Sequence, residues 1–141
     1  MHFNQIDKTS LKALPSAFVD PDYEISCDWN RYSTPTQSLN LIGKEYKKGK
    51  SQFKDPNDFF IVSLLVKKII VRNIKQNIVH DPKQNIPEVI GSPNNRAHSL
   101  IKSEKNIQQG EIVKARLILS EICNWEIFDK EKLIHLKSSR K

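Results

Sequence analysis

The strongest constraint on what this chain folds into is an apolar block, Phe59-Phe60-Ile61-Val62-Ser63-Leu64-Leu65-Val66, continued by Ile69-Ile70-Val71 and Ile78-Val79. Taking such a run out of water builds a core. Lys67 and Lys68 interrupt it, and it falls short of the roughly 20 apolar residues that cross a bilayer, so no membrane span is expected. Period alone does not separate a doubly buried strand from a buried helix. Its β-branched and aromatic content favours a strand over Phe59 to Val66, with one long helix over Phe59 to Ile74 as the competing assignment.

The flanking segments read as short elements. Asp20-Pro21-Asp22 is a turn, after which Tyr23, Ile25 and Cys27 alternate with polar residues and predict a strand over Tyr23 to Cys27. Ser33-Thr34-Pro35 supplies a cap and a proline at the first helical position, and Leu39, Ile42 and Tyr46 carry a helix to about Lys48, weakened by Gly43. Lys67 to Ile74 reads as a short helix and Asn77 to His80 as a strand. Pro82 to Asn95 is a long loop. Asn95 then caps a predicted helix over Arg96 to Lys102, with Ala97, Leu100 and Ile101 on one face. From Gly110-Glu111 a longer helix carries Ile112, Val113, Arg116, Leu117, Ser120 and Cys123 as its stripe. Trp125 and Ile127 make a last strand.

This order is too irregular for a wound parallel sheet and predicts α+β: a single small domain with three to four short strands and two or three helices. Residues 1–19 form an arm or packed lead-in, 20–129 the globular domain, and 130–141 a basic tail that frays. Leu, Ile, Val and Phe number 41 of 141 residues, which excludes a disordered chain. Cys27 and Cys123 are far apart and outside any C-x-x-C pair, so buried free thiols are expected rather than a disulfide framework or zinc knuckle. The first residues lack the apolar stretch of a signal peptide, so a cytoplasmic protein is expected. The bias to 18 lysines, 17 isoleucines and 11 asparagines, against 5 arginines and 4 glycines, is what AT-rich coding in a low-GC bacterium or mobile element produces.

Charge is uneven. Residues 1–43 carry a net −2 and residues 44–141 a net +9, with the excess in Lys44, Lys47, Lys48, Lys50 and Lys54 and in the tail. Such an excess attracts a polyanion, either nucleic acid or the acidic face of a partner. The plainer account is a solvated surface whose lysines follow codon bias, because the patches read as lysine without interleaved aromatic or arginine residues.

Catalytic and cofactor signatures are missing: there is no H-E-x-x-H, phosphate loop, G-x-G-x-x-G or G-x-S-x-G, and neither a cofactor nor a metal is expected. One polar constellation brackets the long loop, His80 and Asp81 on one side and Arg96, His98 and Ser99 on the other. If they converge, histidine titrating near neutrality and an arginine fork suit a small phosphodiester- or nucleotide-directed enzyme. Turn and capping roles explain the same residues. A chain of this kind acts foremost through its surfaces. The primary expectation is a non-enzymatic accessory or adaptor subunit of a larger bacterial assembly, with a protein partner contacted by Trp29, Arg31 and Tyr32.

Overall fold

The computed structural model describes residues 1–18, 24–85 and 89–139. In chain order the regular elements are β1 (Glu24–Asp28), α1 (Pro35–Ile42), β2 (Ile61–Ser63), α2 (Val66–Val71), β3 (Gln76–His80), β4 (His98–Ser103), α3 (Gln109–Ile122), β5 (Asn124–Ile127) and α4 (Lys130–Ser139). Single 3-10 turns lie at Phe3–Gln5, Pro15–Phe18 and Pro56–Asp58. The fold is α+β, with five strands and four helices, one more of each than the upper expectation. The turn at residues 20–22 and Tyr23 lie outside the described residues.

β4 is the centre of a three-stranded antiparallel sheet, between β1 and β3. The register aligns Ile25, Ile101 and Ile78 across the sheet, and likewise Cys27, Ser99 and His80. The expected helix over Arg96 to Lys102 is therefore wrong. Ala97, Leu100 and Ile101 have helical spacing, but Ala97 lies in the turn before β4, and Leu100 and Ile101 are successive residues of a central strand that are both buried, which erases the alternation that marks a half-exposed strand. Ile25, Cys27 and Ile101 meet the inner stripe of α3, Ala115, Leu119 and Ile122, together with Ala13, Phe18, Ile69 and Ile74. This stripe is rotated from the predicted one: Val113 and Leu117 face outward, and Ala115 replaces them where close approach is needed.

The apolar block is divided rather than buried whole. Only Ile61–Ser63 is strand, paired with β5; Phe60 is enclosed, whereas Leu65 and Val66 are exposed at the start of α2. Of α2 itself, Ile69 is buried and Ile70 and Val71 are exposed. α1 ends at Gly43 rather than near Lys48, so Lys44 still adjoins the helix end while Lys47 and Lys48 lie beyond it. The tail expected to fray is helical to residue 139, because Leu133 and Leu136 close a second core over Phe3, Ile6 and Phe60. The first residues are equally integral. The Met1 carbonyl accepts from the Phe60 amide at 2.8 Å, and the Leu11 carbonyl accepts from Trp125 Nε1 at 3.1 Å. Among the described residues no helix is long and apolar enough to cross a membrane.

Candidate functional site

The turn that follows β1 is fixed by backbone bonds. The Trp29 amide donates to the Ala97 carbonyl at 2.7 Å and the Tyr32 amide to the Trp29 carbonyl at 2.9 Å. Asn95 ties this turn to the start of β4: its side-chain amide donates to Asp28 at 2.8 Å, and its side-chain oxygen accepts from the Ala97 amide at 3.0 Å. Both aromatic rings of the turn are thereby brought over the end of β3. Tyr32 stacks on His80 with centroids 5.1 Å apart, and Trp29 stands edge-on to both, 5.5 Å from Tyr32 and 5.4 Å from His80. His80 Nε2 lies 2.8 Å from the Arg96 carbonyl. A carbonyl only accepts, so that nitrogen carries the proton.

Two guanidiniums complete the cluster. Arg96 lies 4.6 Å from the Tyr32 ring centroid, and Arg31 lies 5.8 Å from that of Trp29 and 5.7 Å from that of Tyr32. Neither has a carboxylate within ion-pair distance among the described residues. Cations over aromatic faces are held by the ring quadrupole. The surface contact candidates Trp29, Arg31 and Tyr32 are thus joined by His80 and Arg96, which the sequence placed in a separate constellation. Nothing in the linear spacing of residues 29, 80 and 96 signals that meeting; it follows from β4 being a strand.

The remaining members of that constellation do not join. Successive residues of a strand point to opposite faces, so His98 and Ser99 diverge. Ser99 is 3% exposed and His98 5%, too enclosed to meet a substrate. Ser99 Oγ donates to the Ala97 carbonyl at 3.1 Å. His98 Nδ1 donates to the Asp81 carbonyl at 2.7 Å, with an Asp81 carboxylate oxygen at 3.4 Å, and its buried Nε2 has no hydrogen-bond partner among the described residues. These bonds close the β3–β4 end. Among the described residues no three His, Cys, Asp or Glu side chains converge as metal ligands. A small cavity lined by Phe18, Ile25, Ile112 and Leu119 lies between β1 and α3 and shares no residue with the cluster.

The lysine segment forms a hairpin-like loop. Tyr46 and Phe53 pair across it, the Lys47 amide donates to the Gln52 carbonyl at 2.8 Å and the Lys54 amide to the Glu45 carbonyl at 2.8 Å. Gly49 turns the tip at φ +70°, a conformation that side-chain-bearing residues rarely adopt. Lys54 is neutralised by Glu45, while Lys44, Lys47, Lys48 and Lys50 have no acidic partner among the described residues. The absence of interleaved aromatics read from the sequence is corrected by the structure: the Tyr46 and Phe53 rings sit 4.8 Å apart on this loop, and Phe53 is 47% exposed. Two aromatics flanking Lys47-Lys48-Gly49-Lys50 were the available hairpin signal.

No family model, curated protein or solved structure matches this chain.

Proposed function

We propose that the protein is a non-enzymatic accessory or adaptor subunit of a larger bacterial assembly in the cytoplasm, docking a protein partner through the cluster of Trp29, Arg31, Tyr32, His80 and Arg96. One observation carries this reading. Three chain segments converge to present an assembled, partly exposed aromatic stack with two arginines that have no carboxylate partner among the described residues. Trp, Tyr and Arg dominate interface energetics, the aromatics because they combine large contact area with few degrees of freedom and arginine because its planar fork makes several directed hydrogen bonds. A stack already held by its neighbours loses little entropy on binding. Two guanidiniums whose charge meets no carboxylate among the described residues favour an acidic facing surface.

Affinity capture from the native host compares the wild-type protein with Trp29→Ala and Arg31→Ala, using Val113→Ala on exposed α3 as a control. A partner held by wild type and the control should be weakened by about 30-fold or more in the Trp29 variant, the usual loss at an interface hot spot. A partner held equally by all four proteins, or by none, counts against this surface.

A further inference from the structure

We propose that the loop of residues 44–54 is a binding site for single-stranded nucleic acid, on which Phe53 stacks against a base while Lys44, Lys47, Lys48 and Lys50 neutralise phosphates. This site is separate from the adaptor surface and does not depend on it.

Three observations carry it. The first is charge. Four lysines within seven residues have no acidic partner among the described residues, so their field is not spent internally. The second is the ring. Phe53 is nearly half exposed, yet it is not loose: it pairs with Tyr46, whose amide donates to the Gly91 carbonyl at 2.9 Å and whose ring lies directly over Gly91. Gly91 has φ +80°, and a Cβ there would overlap that ring. An exposed aromatic is thus fixed beside cations, which is how single-strand sites combine a stacking platform with a phosphate track. The third is the type of cation. Protein interfaces favour arginine and deplete lysine; lysines are flexible point charges that suit a repeating phosphate backbone. The other cluster has arginine and no lysine, and this loop has the reverse. Stacking on Phe53 needs an unpaired base, which selects a single strand over a duplex.

Fluorescence anisotropy with labelled oligo(dT) of about 15 nucleotides tests the site, against a duplex of equal length and a polyglutamate competitor. Four neutralised phosphates give a log–log salt slope of about −3, or roughly a 50-fold loss of affinity between about 50 and 200 mM salt. Reversing Lys47, Lys48 and Lys50 to Glu should flatten that slope to about −1. Phe53→Leu, which keeps apolar bulk without a ring, should weaken binding about 5- to 150-fold at unchanged slope, and Phe53→Trp should retain it. Melting curves confirm that the variants are folded. Trp29→Ala should bind oligo(dT) as wild type does, so loss of the adaptor partner and loss of this site are read separately. Absent binding, equal affinity for the duplex, displacement by polyglutamate at matched charge, or Phe53→Leu indistinguishable from wild type would each overturn the proposal.

Discussion

Cys27 shows how a single side chain is tuned by its position. It sits on β1 facing the α3 core, with its thiol 3.4 Å from the Ser99 carbonyl. Burial, and secondarily the neighbouring Asp28 charge, push its pKa up to about 11. The thiolate is the reactive form, so alkylation by iodoacetamide at pH 8 should proceed roughly a hundred-fold more slowly than for a free thiol and accelerate on unfolding. The same shift acts on stability. Because the folded state holds the proton more tightly than the unfolded one, the contribution is fully present below pH 9, the ordinary thiol value, and is lost as pH rises towards 11. Urea midpoints measured across that window should fall for wild type and fall less for Cys27→Ala. Leu133 makes the complementary point for apolar contacts. It is 0% exposed, and Leu133→Ala should cost about 2–5 kcal/mol in urea denaturation.

At the scale of elements, the helix start was legible and its end was not. Thr34 caps α1 by accepting from the Gln37 amide at 3.3 Å, and the Gln37 side-chain oxygen in turn accepts from the Thr34 amide at 2.9 Å. Thr34→Ala should therefore destabilise by about 1 kcal/mol. The helix stops at Gly43, which sits against Pro56 from the next 3-10 turn, a contact that local spacing does not contain. β4 was illegible for a related reason. Ala97, Leu100 and Ile101 carry helical spacing, and only pairing of β4 to residues 19 to 78 positions away in sequence makes it a sheet centre. That misassignment also hid the Trp29 and His80 meeting, so the sequence shows the members of each candidate cluster but not their company. Leu100→Ala should lose about 2–5 kcal/mol. His98→Ala should also lower the melting temperature, because it removes the bond to the Asp81 carbonyl and leaves a void at the strand end. An unchanged melt for His98→Ala would reopen a chemical role for that histidine.

Across the whole molecule, two cores are stitched together by segments distant in the chain. Ala13 and Phe18 meet α3 in one, and Phe3 and Ile6 meet Leu133 and Leu136 in the other. Residues 130–141 were read as an appendage because lysines surround their leucines, yet one of those lysines lies on the core itself: the Lys132 ammonium sits 5.1 Å from the Phe60 ring centroid, where the ring quadrupole attracts it. Deleting residues 130–141 should broaden thermal unfolding and raise dye binding, whereas a frayed tail would leave the transition unchanged. The closure of that second core also orders events in time. Phe3, Ile6 and Phe60 leave the ribosome well before α4 does, and at about 5–20 residues per second the interval between them is several seconds or longer. For that period the nascent chain carries Phe3, Ile6 and Phe60 without the Leu133 and Leu136 that later cover them, which is the kind of transiently exposed apolar surface that chaperones recognise.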